Sequence, residues 1–585
     1  MAYQNTRAFK RILPTIRKKM PEMWVGDSET WRHASNPAFW IFKRMDSSEK
    51  IIFYSKSEVR EWVNHKRIVC YFHNLEFDLA TFMTAEEVAI SRKICAGSKI
   101  IRLNFGAVEF RDSLALLTTS VASLGDSFRL PKGKTPQKFI DGDSSQGLNS
   151  DDLVYCERDI DIVIFALNDL LEFYWKCCKI GSDFDEYDDA IPAGFCLPLT
   201  AASLAYRIYS ASFWCFEFNT IYIKKDAFFD TLKTYYGGRV QVFAEAGKIY
   251  SKTYVYDINS LYPSVMTGNY YPHPKYCYKE KCSVSALKLK MAQDRLVWGE
   301  FEMVAGKNAV LFLPSTDENG RRNYNQKEFS GWLCQPEIQF ALENGWRINR
   351  VKTLYSAVKI RPFDSYVNYF YNLRKKFQAN GDSREYFVKI LLNSLYGKFG
   401  QKDNTDRIEN PDKIKAIMAD SNWPESYEIG YYTKNLWYLT EKKSGRPSKN
   451  TWAGFSAFTT SYARVKLAES IRDNPTLYCD TDSIHTQISP EKIDLPLTNE
   501  IGDWKLEYVG EKSQFWEPKA YRFMDENFEN LLVKHKGANR SDGDLTKPQI
   551  AVSFIKYRSA LRRKITYGEF QNVIKKSKRF CDENL

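Results

Sequence analysis

The run Thr476-Leu-Tyr-Cys-Asp480-Thr-Asp482-Ser-Ile-His485-Thr-Gln-Ile places two carboxylates inside a stretch of β-formers. Aromatic and β-branched residues on both sides of a tight polar centre read as a hairpin, with Asp480 and Asp482 at or near its tip. Residues i and i+2 of a strand share a face, so the two acids point one way. A lone Asp-Thr-Asp is an ordinary turn, because turns favour Asp. This one gains meaning from Thr253-Tyr-Val-Tyr-Asp257-Ile-Asn-Ser-Leu-Tyr262-Pro263, a second β-rich run that ends at an acid. Pro263 is placed to open a helix there. Two acids on a hairpin and a third on a neighbouring strand make a cage for two divalent ions.

Between these runs lies Lys389-Ile-Leu-Leu-Asn393-Ser-Leu-Tyr396-Gly397-Lys398. Lys389, Asn393, Tyr396 and Gly397 fall at i, i+4, i+7 and i+8, one face of a helix. A core stripe would be apolar at that spacing. An ammonium, an amide, a ring and a bare backbone position suit a nucleotide instead: a cation for phosphate, a ring for stacking. Arg374-Lys375-Lys376 upstream offers further phosphate ligands, although such a run is also an ordinary solvated face.

A second set of acids occupies the N-terminal third. Met23-Trp-Val-Gly-Asp27-Ser-Glu29-Thr30 reads as a strand whose two acids share a face. Val69-Cys-Tyr-Phe-His73-Asn74-Leu75-Glu76-Phe77-Asp78 is an apolar strand followed by a polar break. Ser150 is placed to cap a helix that runs on through Trp175, with Tyr155 and Asp159 four apart on one face. Phosphodiester hydrolysis by two metals needs several converging carboxylates, and a tyrosine nearby can orient the attacking water.

The chain has 585 residues, enough for about three to five domains. Hydrophobic content of 44% excludes a mainly disordered chain. No apolar run approaches the roughly 18 residues of a membrane span. The first twenty residues are basic and polar, unlike a secretory signal. An intracellular protein with reduced thiols is expected, in a host cytoplasm or a DNA-containing compartment. The net charge of +12 permits a polyanionic partner. Basic residues over Lys556–Lys564 and Lys575–Arg579 read either as a solvated helical face or as a surface that follows phosphates.

Taken with their order, these motifs resemble family B DNA polymerases. YDINSLYPSVM at 256–266, KILLNSLYGKFG at 389–400 and YCDTDS at 478–483 are similar to that family's polymerase motifs. GDSET, YFHNLEFD and YCERD are similar to its three exonuclease motifs. Tyr235-Tyr-Gly237-Gly238 and Lys519-Ala-Tyr521 resemble the YxGG and KxY motifs of the protein-primed branch. The long gaps between Asp257 and Lys389, and between Tyr396 and Asp480, have room for that branch's two insertions.

The resemblance implies an α/β and α+β multidomain chain: an RNase H-like 3′–5′ exonuclease domain followed by a right-hand polymerase. The expected boundaries are 1–196 for the exonuclease, 197–268 for the first part of the palm and 269–362 for a first insertion that binds terminal protein and template. The fingers follow at 363–400, a second, hairpin insertion encircling DNA at 401–451 with its tip near Gly445–Lys449, the rest of the palm at 452–530 and the thumb at 531–585. It implies that Asp257 and Asp482 hold two Mg²⁺ (or Mn²⁺) ions with the support of Asp480. Asp27, Glu29, Asp78 and Asp159 would hold two more, with Tyr155 positioning water. Tyr262 would exclude a 2′-hydroxyl, Lys389 and Arg374 would bind the dNTP triphosphate, and Asn393, Tyr396 and Gly397 would line the nascent pair. Thr30, His73, Asn74, Phe77, Ser113 and Leu114 would hold a frayed single-stranded 3′ end. Tyr235, Gly237, Gly238, Lys519 and Tyr521 would contact primer–template DNA. The branch also has a lysine assisting the exonuclease; Lys132 and Lys134, in Pro-Lys-Gly-Lys, are the two candidates.

The expected protein is a monomeric DNA-templated DNA polymerase with proofreading, primed by a terminal protein on a linear viral or plasmid genome. Two other readings remain distinct: the same fold using a nucleic-acid primer or none, and a catalytically silent DNA-binding scaffold. Adding or omitting a terminal protein separates the first from the leading reading. Loss of a motif acid would favour the second, and all are present.

Overall fold

The structure is a computed structural model that describes residues 6–18, 20–180, 190–316, 322–401, 406–419, 427–441, 451–535 and 549–575. Its N-terminal unit is a seven-stranded sheet in the spatial order 50–53, 37–44, 22–30, 68–72, 108–112, 99–105, 93–96. The three strands Glu22–Thr30, Ile68–Phe72 and Val108–Asp112 run parallel, and the flanking pairs are antiparallel. Every residue of Ile68–Phe72 is buried, as a strand covered on both faces requires. The helix Ser150–Cys178 lies against Glu22–Thr30, and its buried positions Asp152, Cys156, Asp159, Val163 and Leu170 recur with the helical period.

That helix begins where expected, but Ser150 is not its cap. Asn149 accepts the Asp152 N–H at 3.1 Å while the Asp152 carboxylate accepts the Asn149 N–H at 2.8 Å. This reciprocal box needs an acid or amide three residues after the cap. Asp152 supplies it for Asn149, whereas Ser150 would face Leu153.

The expected boundary at 196 is also crossed. The strand Thr6–Lys10 leaves the seven-stranded sheet and pairs antiparallel with Thr220–Lys224. Phe9 drives this: it is fully buried, with the rings of Trp214, Phe216 and Phe455 5.1–6.0 Å away. Burying such a ring stabilises the pairing by roughly 1.5–3 kcal/mol.

The second half is built on a five-stranded sheet in the order 240–242, 478–480, 483–486, 253–258, 504–510. Its apolar face (Tyr256, Ile258, Cys479, Ile484 and Trp504) packs on Ala463 and Leu467 of the helix Ala453–Asp473. The strands 271–280, 346–360, 295–305 and 328–334, in that order, form a separate four-stranded sheet. Two helices follow, Asp364–Ala379 and Glu385–Phe399, packed on each other. Within 401–451 the described residues form a three-stranded sheet whose hairpin turns at Lys434–Asn435. The tip expected near Gly445–Lys449 lies outside the described residues.

The expected break at 530 falls inside a sheet. Asn530–His535 pairs with Ala520–Met524, which pairs with Lys512–Glu517. Beyond it, Gln549–Phe554 and Phe570–Lys575 form a hairpin around the helix Tyr557–Arg563. Here two basic residues of the C-terminal stretch serve the fold rather than a free basic surface. Lys556 donates to the Ser98 carbonyl at 2.9 Å, and Arg558 bonds Glu409 at 3.3 Å. Glu409 is itself a junction, with its side chain 2% exposed. Lys93 of the N-terminal unit reaches it at 2.5 Å, Tyr432 at 2.5 Å and Tyr557 at 3.1 Å. Among the described residues, no helix is long and apolar enough to cross a membrane.

Candidate active sites: two carboxylate centres

The first centre sits at the end of the parallel strands. Glu22–Thr30 carries Asp27 and Glu29 on one face, and the helix Ser150–Cys178 brings Asp159 and Tyr155 against them. Asp78 is in the first turn of the helix Leu75–Phe82, which opens at Asn74 in the left-handed region (φ 79°). The polar break after the second strand is therefore a helix start. Asp78 accepts a hydrogen bond from the Ser28 hydroxyl at 2.7 Å. Burial pushes the Asp27 pKa up to about 7, with the Asp159 charge adding to it. Glu29 and Asp78 are raised well above the carboxylate range, by burial first and then by Asp27. Asp159 is 5% exposed, and its Oδ1 is buried without a hydrogen-bond partner. Crowded acids that resist ionisation, one with an unused oxygen, fit a divalent cation.

Of the two candidate lysines, Lys132 lines the cavity at this centre and Lys134 does not. Its Nζ is bonded to Asp159 Oδ2 and stands 5.2 Å from the Tyr155 ring centroid. Burial opposes its charge, yet Asp159 holds its pKa above the usual lysine range. Tyr155 shares a hydrogen bond with Thr135 at 2.9 Å.

A cavity of about 1010 Å³ opens over these groups. Thr30, His73 and Phe77 line it; Asn74, Ser113 and Leu114 do not. Asp112 holds two of these last three, its Oδ1 accepting the N–H groups of Asn74 and Leu114 at 3.0 Å each, and the Ser113 N–H donates to the Phe72 carbonyl at 2.9 Å. His73 Nε2 donates to the Thr119 carbonyl at 2.7 Å, which leaves Nδ1 to pair with the Ser113 hydroxyl at 3.0 Å. Burial lowers the His73 pKa to about 4, so the ring is neutral at pH 7. Val552, Phe570 and Asn572 of the C-terminal hairpin close one side of the cavity. Phe570 lies 6.2 Å from Phe77, ring to ring. Nothing in the local sequence of Phe570 marks it, because its partner is almost five hundred residues away.

The second centre is on the five-stranded sheet. Asp257 pairs with Ser483 on one side and with Lys505 on the other. Asp480 ends its strand, and Asp482 stands in the turn after Thr481 (φ 64°). The turn is tied to the first strand by Ile258 N–H donating to the Asp482 carbonyl at 2.7 Å. Burial and then the Asp257 charge push the Asp482 pKa up to about 6. Asp257 is raised by burial and Glu507, against Lys505 at 3.5 Å. Lys519 Nζ bonds Asp480 at 2.5 Å, so its ammonium reaches the carboxylates directly. Asp257 and Asp480 both act on Asp482, and three acids converging in this way again fit divalent cations. The strand Trp504–Gly510, which supplies Lys505 and Glu507, carried no motif.

The helix Glu385–Phe399 brings Tyr396 to this centre. Tyr262 and Tyr396 stack with centroids 4.1 Å apart. Lys389 and Asn393 are exposed on the helix that carries Tyr396, and Gly397 has open space beside its Cα. Arg374 bonds Glu385 at 2.6 Å and the Ser260 hydroxyl at 3.2 Å, which holds it beside the Asp257 loop. A Cβ on Gly238 would lie 2.7 Å from the Thr481 side chain, whereas one on Gly237 would meet nothing. The loop carrying both is pinned by Arg464, which donates to the Tyr236 and Gly237 carbonyls at 2.8 and 2.9 Å and to buried Glu337 at 2.9 Å. Tyr235 abuts Gly400, and Tyr521 packs 5.2 Å from Tyr478.

Residues 143–487 match the family model of DNA polymerase type B, organellar and viral. A probable DNA polymerase of Agaricus bitorquis is 24% identical over 513 residues, covering 74% of this chain. The chain spans only 60% of that relative's own length. The DNA polymerase of Bacillus phage phi29 is 22% identical over 612 residues, covering 95% of each chain. Among solved structures, phi29 DNA polymerase complexed with primer-template DNA is similar in fold. Its TM-score is 0.63 at 17% identity, covering 97% of this chain and 94% of that one.

Proposed function

Because the chain belongs to the organellar and viral family of type B DNA polymerases, we propose that it is a DNA-directed DNA polymerase with a 3′–5′ exonuclease, primed by a protein hydroxyl. The observation that carries this reading is the meeting of Asp257 and Asp482 beside the Tyr262–Tyr396 stack, with a separate carboxylate pocket on another sheet. Asp257 and Asp482, supported by Asp480, would hold Mg²⁺ or Mn²⁺ at the synthetic centre; Asp27, Glu29, Asp78 and Asp159 would do so at the hydrolytic one. When bound, such ions activate the attacking hydroxyl or water and stabilise the leaving oxygen.

The remaining work falls to this chain's own groups. Tyr262, backed by Tyr396, forms a rigid floor that a ribose 2′-hydroxyl would strike. Lys389 and Arg374 supply charge for the triphosphate, and Arg374 is pre-oriented by Glu385. Lys519 steadies the primer terminus at Asp480 and Tyr521 packs beneath it. At the hydrolytic centre Tyr155 orients water, Lys132 offsets the charge of Asp159, and Thr30, His73 and Phe77 receive a single-stranded 3′ end. Primer–template DNA and a terminal protein are the proposed partners of a monomeric enzyme.

A gel assay of a 5′-labelled primer on a longer template in Mg²⁺ tests this reading. Extension with dNTPs and shortening without them are expected. No change in either lane would overturn it. The priming claim is tested by [α-³²P]-dNTP transfer to candidate proteins encoded with this chain: labelling that needs the polymerase supports it. Label found only on nucleic-acid primers favours the ordinary-primer reading.

A further inference from the structure

One group buried behind the acids of the hydrolytic pocket has no part in a carboxylate-only mechanism. Cys156 follows Tyr155 on the helix Ser150–Cys178, is fully buried, and donates from Sγ to Asp27 Oδ2 at 3.7 Å. One ligand atom from each of Asp27, Glu29 and Cys156 lies within 4.8 Å of the others, the span of a single coordination sphere. A second, independent observation points to a ligand at the same place. Asp159, three residues further along the helix and 5% exposed, lines the cavity and leaves Oδ1 without a hydrogen bond.

The donor set decides what kind of ion this suits. Mg²⁺ takes hard oxygen ligands and gains nothing from sulfur. Zn²⁺ and its softer congener Cd²⁺ bind thiolate together with carboxylate oxygen, zinc at about 2.3 Å to sulfur and about 2.0–2.2 Å to oxygen. The helix fixes the sulfur and the strand fixes the two carboxylates, so little reorganisation separates the hydrogen-bonded thiol from a metal-bound one.

We propose that Asp27, Glu29 and Cys156 form a site for a thiophilic divalent cation of the Zn²⁺ or Cd²⁺ class, and that an ion held there through sulfur takes Asp27 and Glu29 away from Mg²⁺. On binding, the S–H bond gives way to a sulfur–metal bond and the proton leaves to solvent; no electrons are transferred. The competition with Mg²⁺ rests on the hydrolytic reading of this centre, and the binding itself does not. The consequence is an exonuclease that trace zinc silences while the synthetic centre, whose neighbouring thiol Cys479 is turned into the apolar face of the sheet, keeps its hard-metal preference.

The test uses the full chain loaded with one equivalent of Zn²⁺. X-ray absorption should report a sulfur neighbour at about 2.3 Å. A Cd²⁺ titration should raise a thiolate-to-metal charge-transfer band that excess Mg²⁺ diminishes. Cys156→Ser should remove both signals and weaken Zn²⁺ binding by more than about tenfold, while Cys215→Ser, at an exposed thiol on another element, should leave them. Should Cys156→Ser fail to fold, Asp27→Asn must weaken the same band. An oxygen-only shell in the unmodified protein, or a sulfur signal that survives Cys156→Ser, overturns the proposal. Mg²⁺-dependent primer shortening, run on the zinc-free protein, separates the two claims. Shortening without sulfur-bound zinc sinks the metal site alone, and sulfur-bound zinc without shortening sinks the hydrolytic reading alone.

Discussion

Asp480 and Asp27 stand on different sheets, so single substitutions should part the two proposed activities. Asp480→Ala is expected to abolish primer extension and spare shortening, and Asp27→Ala to do the converse. Loss of both activities from one change, in a protein with unaltered circular dichroism, would refute a two-centre enzyme. The raised pKa of Asp27 also has a sign. Its ordinary value of 3.8 becomes about 7 in the fold, chiefly through burial. The native state therefore keeps a proton that the unfolded chain releases, and in chelator this residue's contribution falls as pH rises from about 4 to about 7. His73, lowered from 6.5 to about 4, acts oppositely: its contribution is present above 6.5 and lost as pH falls towards 4. The difference in Tm between the parent and Asp27→Asn isolates the first effect. It should change across this window in chelator and flatten in excess Mg²⁺; a difference independent of pH would show that Asp27 ionises normally. The acids were legible in the sequence because their spacing of two on a strand is a local pattern. The roles of Asp112 at Asn74 and Leu75 and of Arg464 at Glu337 were not, because those partners lie 37 or more residues away.

At the level of elements, the buried junction at Glu409 ties three distant segments together. Lys93 belongs to the N-terminal unit, Tyr432 to the three-stranded sheet, and Tyr557 and Arg558 to the C-terminal helix. Burial penalises the Glu409 carboxylate, but Lys93 and then its other partners hold its pKa below the ordinary value. Removing one member of a buried charge pair leaves the other uncompensated, at a cost of about 3–5 kcal/mol. Glu409→Ala should therefore destabilise by that order in urea unfolding, and should speed proteolysis within 549–575. A change under about 1 kcal/mol would mean that the junction is solvated in solution. Elements with a strong local pattern, such as the helix 150–178 and the hairpin carrying Asp480, could be read from sequence. The pairing of Thr6–Lys10 with Thr220–Lys224 could not, since register between remote strands has no local signature.

For the whole molecule, the net charge of +12 bears on the proposed DNA partner. Each phosphate neutralised releases counterions, so six to ten contacts would lower affinity by about 10³–10⁵ between 50 and 200 mM salt. Primer–template affinity measured by anisotropy should follow that slope, and a salt-independent affinity would argue against a backbone-tracking surface. The multidomain polymerase fold was legible because its motifs occur in a fixed order, whereas the contact between the two chain ends was not. That contact has a biosynthetic consequence. The ribosome releases Asp27 and Asp159 hundreds of residues before Phe570, which walls their cavity. Throughout translation the acids stand in a pocket open on one side, and only the last segment described here seals it. A nascent chain can therefore complete its five-stranded sheet while the N-terminal acid pocket is still open, and a late stop codon would leave the two carboxylate centres unequally made.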